Sequence, residues 1–156
     1  MANLLINYPA LEVVEELPEV PVIEIEETRE EKSNWSAPYI WENKNRTEIV
    51  LAGSGRTVSY DLAGKELWWW RRGMSSITIA TPYSSSDLLY VSSGYVGDKK
   101  KPIYAIRPGA QGDISIQPFK KSDNDYVAWC NWEAAPYNPS TLLYLDARRI
   151  LCLEWG

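Results

Sequence analysis

The sequence predicts an all-β chain of short antiparallel strands, and three observations carry that prediction. Beyond Lys32 the apolar and aromatic residues fall in short runs separated by clusters of Gly, Asn, Asp and Ser, the pattern of many short strands joined by turns. The clusters have turn chemistry of their own, since Gly and Asn accept the positive φ that tight turns demand. The same order of runs then recurs, with Pro38 and Pro82 standing 44 residues apart, a period too long for a simple hairpin repeat and within the range of propeller blades.

Residues 1–32 differ in character from the rest. Glutamate dominates from Glu12 to Glu31, where Arg29 is the single basic residue, and Pro9, Pro18 and Pro21 interrupt any helix longer than about two turns. An acidic, Pro-containing arm or edge strand is expected, because Val22, Ile23 and Ile25 alternate imperfectly with glutamates over Val20 to Glu26. An amphipathic helix from Leu11 to Leu17 that recruits a partner is the alternative. Met1 to Val22 lacks a cationic start followed by an apolar run and a small-residue cleavage site, so no secretory signal is expected.

From residue 33 to 156 the strands are expected in rounds of four. Ala37–Glu42, Thr47–Ala52, Thr57–Asp61 and Glu66–Arg71 make a first antiparallel sheet, turned at Asn43-Lys44-Asn45, Gly53-Ser54-Gly55 and Ala63-Gly64. Ile77–Pro82, Leu88–Ser92, Pro102–Ile106 and Asp113–Gln117 make a second, with Gly94, Gly97 and Gly109 at its joints. A third round is expected to begin near Tyr126, because Leu142-Leu143-Tyr144 repeats Leu88-Leu89-Tyr90, and to end in a short strand from Ile150 to Leu153.

Composition narrows the function classes. The 156 residues suit one domain with one core, and 45% hydrophobic against 24% charged residues is a globular balance. No segment approaches the roughly 20 apolar residues of a spanning helix. A net charge of −5 disfavours capture of nucleic-acid phosphates. The charge is uneven, with Arg71, Arg72 and Lys99 to Lys101 in the middle of the chain. Histidine is absent from the sequence, which removes the usual general base, the commonest zinc ligand and the ordinary Ser-His-Asp arrangement.

The remaining motifs read as structure. Gly53-Ser54-Gly55 lacks the Lys-Ser/Thr pair and the helix of a phosphate loop, so a β-turn is expected. Asp123-Asn124-Asp125 reads as a polar turn, because calcium loops place ligands on alternate residues and close with a distant carboxylate. Nothing in the spacing of Glu42, Glu48 and Asp61 sets two carboxylates roughly 5 to 10 Å apart, as glycoside chemistry needs. No catalytic residue, metal or cofactor is therefore expected. Cys130 and Cys152 read as two half-buried thiols, with pairing left open.

Trp68-Trp69-Trp70-Arg71-Arg72 is the most conspicuous local feature. On a strand Trp68 and Trp70 share one face while Trp69 takes the other. Packing between stacked sheets is one reading. The other makes Trp69 a platform for a sugar or base, with Arg71 or Arg72 as hydrogen-bonding or cation–π partner and with Tyr39, Trp41, Trp129 and Trp132 as further candidates.

Ser59 to Trp68 follows the pattern apolar-Asp-x-x-x-Gly-Lys-x-x-Trp with one residue fewer in the turn, and Tyr104 to Ile114 follows an Ala-Ile-Arg-Pro-Gly variant of it. With Asn34–Tyr39 and Tyr137–Ser140, these residues give the stretch from about Ser33 to Asp146 a likeness to the PQQ-like, quinoprotein-type β-propeller repeat, which the chain resembles. In physical terms Asp61 and Gly64 make the turn, and Trp68 offers a flat surface for docking a neighbouring blade. The matching place in the second blade, read as Gly112 to Ile114, has no Trp.

The resemblance implies about two and a half antiparallel four-stranded blades of an incomplete propeller, since rings close with about 4 to 8 blades. It also implies a bacterial protein of the periplasm or cell exterior. The family's catalytic branch, the quinone-dependent dehydrogenases, uses an acidic base, a calcium ion and often adjacent cysteines, whereas Cys130 and Cys152 are far apart. The expected function is a non-catalytic binding or scaffold module that takes a protein partner or self-associates through open blade edges. Carbohydrate or small-ligand binding through exposed aromatics, and a remnant of a quinone-dependent dehydrogenase, are the alternatives.

Overall fold

The computed structural model describes residues 34–120 and 124–137, together with the backbone of 142–144 and 149–151. The arm expected over 1–32, Asp123 and Cys152 lie outside the described residues. Within them the chain is all-β, and no helix is long and apolar enough to cross a membrane. The strands are β1 (Tyr39–Glu42), β2 (Thr47–Leu51), β3 (Arg56–Tyr60), β4 (Glu66–Arg71), β5 (Tyr83–Ser85), β6 (Leu88–Ser92), β7 (Ile103–Ile106), β8 (Gly112–Asp113), β9 (Val127–Asn131), β10 (Leu142–Tyr144) and β11 (Arg149–Leu151).

A first sheet has the order β1-β2-β3-β4-β8, a second the order β5-β6-β7-β9, and β10 and β11 form a hairpin. Turn residues shape the first sheet. Asn43 Oδ1 accepts the backbone N–H groups of Asn45 and Arg46 at 2.9 and 3.2 Å. Asp61 Oδ1 accepts those of Ala63 and Lys65, both at 2.9 Å, and Gly64 takes a φ of 81° that a Cβ would oppose. In the second sheet Ser86 and Asp87 have φ of 50° and 64°, the left-handed pair of a two-residue type I′ hairpin, whose twist matches its flanking strands.

The two sheets share one register. Across the first, Tyr39 faces Val50, Val50 faces Ser59 and Ser59 faces Trp68. Across the second, Tyr83 faces Tyr90, Tyr90 faces Ala105 and Ala105 faces Trp129. A bulge falls at the corresponding point in each, between Ser59 and Tyr60 and between Ala105 and Ile106.

This register corrects three expectations. Asp113–Gln117 is not the fourth strand of the second sheet. Only Gly112–Asp113 is a strand, and it pairs in parallel with β4 of the first sheet, Trp68 facing Gly112 and Trp69 facing Asp113. Gly109 and Gly112, at φ of 88° and 64°, let the chain turn away from its own meander. The fourth strand is instead β9, within the segment expected to open a third round. Trp129 therefore occupies the row position of Trp68, so the second sheet does carry the Trp that the sequence reading placed nowhere.

Nor is Ile77–Pro82 a strand; pairing begins at Tyr83, just after Pro82, which has no N–H to donate. The carbonyls of Thr78 and Ala80 are taken instead by the Trp35 N–H and the Ser36 hydroxyl, at 3.1 and 3.0 Å.

The core lies between the sheets. Trp41, Val50, Trp68 and Trp70 of the first meet Leu89, Val91, Tyr104 and Ile106 of the second in one cluster. A ladder of rings crosses it: Trp68 stacks on Trp70 at 5.5 Å, Trp70 on Tyr104 at 4.6 Å, and Tyr104 meets Trp132 edge-on at 5.6 Å. Each large ring removes on the order of 200 Å² from water, about 5 kcal/mol gross at 25 cal/mol/Å². At the first strands the Tyr39 hydroxyl lies 2.8 Å from Ser84 Oγ and accepts the Ser84 N–H at 3.1 Å. Side chains alternate across a strand, so with Tyr104 facing the first sheet the row Tyr83–Tyr90–Ala105–Trp129 lies on the outer face of the second.

Candidate functional site

Glu48 shows what the buried polar chemistry of the first sheet does. It is fully buried, and each carboxylate oxygen accepts two hydrogen bonds. Oε1 takes Asn43 Nδ2 and Arg46 Nε, each at 3.0 Å. Oε2 takes the Ser59 hydroxyl at 2.6 Å and the Trp68 indole N–H at 2.7 Å. A carboxylate has about four lone-pair positions, so this one has no capacity left for a substrate. Arg46 also donates to the Ala110 carbonyl at 2.6 Å, tying the first sheet to the connection between β7 and β9. Glu48 is a structural centre that fixes Trp68. Glu42 is exposed, and Asp61 is engaged in its turn.

The five rings and guanidinium proposed for ligand binding are dispersed. Trp41 is fully enclosed and Trp132 is 7% exposed, so neither offers a face to a ligand. Trp129 is 37% exposed and leans on Tyr90, which stacks on Tyr83. Trp69 is half-buried on the other face of β4 from Trp68 and Trp70, with the guanidinium carbons of Arg56 and Arg71 at 5.2 and 5.3 Å from its ring. The indole thus holds two cations side by side, and Arg56 is also paired with Glu66 at 2.5 Å. The ring available to a sugar at Trp69 is already faced by arginine.

Directly beyond this patch, three loops at one end of the two sheets enclose a cleft of about 560 Å³. The β2–β3 turn supplies Ser54 and Gly55, the segment after β4 supplies Arg72 to Ser76, and the β6–β7 connection supplies Asp98 to Lys100. Arg72 sits at φ 60°, a conformation that an L side chain adopts at a cost. It is held there from both sides: its N–H donates to the Gly55 carbonyl at 3.2 Å, and its carbonyl accepts Lys100 Nζ at 3.0 Å.

Asp98 is the acidic group of the cleft. Burial pushes its pKa up, but the hydroxyl and backbone N–H of Ser76 and the charge of Lys100 outweigh that and hold it below the ordinary carboxylate value. The cleft therefore presents Arg72, Lys99 and Lys100 against one carboxylate that is already bonded.

Sequence reasoning had each part of this cleft but not the whole. Gly53-Ser54-Gly55 was expected as a turn, Arg72 was expected, with Arg71, as a partner at Trp69, and Lys99 to Lys101 registered only as uneven charge. Cys130 is a half-buried free thiol whose pKa burial pushes up to about 12, which leaves it protonated and a poor nucleophile near neutral pH.

No protein-family model matches the chain, and no curated protein matches it.

Proposed function

We propose that the chain is a non-catalytic binding scaffold built from PQQ-like propeller repeats, whose outermost sheet faces take further sheets of the same kind through self-association. The observation that supports this most is the shared register, a Tyr–x–x–Trp row with the same bulge in two consecutive meanders. In the first sheet the row that ends in Trp68 packs against the second sheet within the chain. In the second, the row that ends in Trp129 lies on the face turned away from the first sheet; Tyr90 and Ala105 within it are buried, and Trp129 at its end is 37% exposed. Repeat sheets bury their faces on neighbours, and a head-to-tail contact that repeats the internal one closes into a ring when the rotation allows.

Light scattering on the purified chain tests the reading, with Trp129→Glu as its probe. A discrete oligomer with a β-sheet circular dichroism signal, dissociated by W129E, is expected. A folded monomer at every concentration would overturn it.

A further inference from the structure

We propose that the cleft between the β2–β3 turn, the segment after β4 and the β6–β7 connection binds a tetrahedral oxyanion, the phosphate or sulfate group of a small monoester. The inference rests on the cleft alone and stands apart from the assembly reading.

Charge is the first reason. The chain carries −5 overall, yet Arg72, Lys99 and Lys100 converge on one concavity of about 560 Å³. Gathering like charges is unfavourable unless something offsets it. Arg72 and Lys99 have no acidic partner among the described residues, and Asp98 is held by Ser76, whose hydroxyl and N–H both donate to Oδ2.

Preorganisation is the second. Arg72 is kept in the left-handed region by hydrogen bonds at both its N–H and its carbonyl. Backbone held in such a state collects at ligand sites, because surrounding structure has to enforce it. Here the enforcing contacts are the other two walls of the cleft, Gly55 and Lys100.

Shape is the third. Gly55 leaves the rim without a side chain, and the Ser54 hydroxyl has no internal partner among the described residues. A planar guanidinium, ammonium groups and a hydroxyl together match an oxyanion that offers several acceptor oxygens. A neutral sugar would leave the charges uncompensated.

The test is a titration of the ¹⁵N-labelled full chain with inorganic phosphate and with inorganic sulfate, using chloride at matched ionic strength as control. Saturable shifts of the Ser54, Gly55, Arg72, Ser76 and Lys100 amides are expected with the oxyanions and not with chloride. Glucose 6-phosphate, glucose 6-sulfate and glucose then separate the sources: binding of either ester but not of glucose supports the proposal.

Arg72→Gly removes the guanidinium while suiting the φ, so the fold is retained and the apparent affinity is expected to fall at least tenfold. Lys99→Gln, which disturbs no backbone contact, is expected to lower it severalfold. Equal shifts with chloride, undiminished affinity in both variants, or binding of glucose alone would overturn the assignment. A change in oligomeric state in W129E leaves this result untouched, so the two proposals fail separately.

Discussion

The first and second sheets are the same four-strand meander filled in two ways. Their rows match position for position, Tyr39 to Trp68 in one and Tyr83 to Trp129 in the other, with a Tyr at the start and a Trp at the end of each. Yet the inner face of the first is organised about a buried carboxylate with four donors, whereas the face that the second sheet turns towards it is the apolar set Leu89, Val91, Tyr104 and Ile106. The first joins its third and fourth strands by the tight Asp61–Lys65 turn. The second joins them by residues 107–126, part of which leaves to pair with β4. Backbone pairing and one bulge set the frame, while the interior and the third connection vary around it. That excursion also covers an edge of the first sheet, which would otherwise present unpaired N–H and carbonyl groups.

The largest expected effect tests the polar centre. Glu48→Ala strands Arg46, Asn43, Ser59 and the Trp68 indole at once, and should cost about 4 kcal/mol in urea unfolding, as breaking a buried pair does. Glu48→Gln should lose less, because it keeps the shape and two acceptor positions. A loss under about 1 kcal/mol in the alanine variant would deny the carboxylate its organising role.

Leu89→Ala probes the apolar counterpart and is expected to cost about 3 kcal/mol through lost burial and the cavity it leaves. A much smaller loss would mean that the second sheet is loosely packed and that the contrast between the sheets is one of order.

Tyr39→Phe removes the hydroxyl that joins the first strands of the two meanders. A loss of about 1 kcal/mol, without change in cooperativity, is expected by chemical denaturation. Two separate transitions would show that this hydrogen bond, more than the aromatic ladder, couples the sheets.

The smallest effect concerns Asp98. Its folded-state pKa lies below the unfolded one, so its contribution is present above the ordinary carboxylate value of about 3.9 and is lost as pH falls through the lower folded value. Asp98→Asn should flatten the acid limb of a melting-temperature profile and leave neutral pH nearly unchanged. An unaltered acid limb would remove the Ser76 and Lys100 contacts from the account.

What the sequence determined by itself is local. Thr47 to Leu51 and Glu66 to Arg71 declare their strands as short apolar runs between turn residues, and Asn43, Asp61 and Gly64 declare their turns, because a short side chain or a missing Cβ acts within about four residues. The same locality explains the misplaced fourth strand. Asp113–Gln117 has strand-like residues, yet only Gly112–Asp113 pairs, and the neighbouring edge of β4 decided which sheet took it. Tertiary structure alone put Trp129 in the row of Trp68, since a 20-residue connection hides that equivalence from any fixed spacing. It alone enclosed Glu48, and it alone brought Ser54, Arg72 and Lys99 to one cleft. Those residues come from three loops far apart along the chain, and their encounter depends on how two sheets pack, a long-range outcome that no local pattern records.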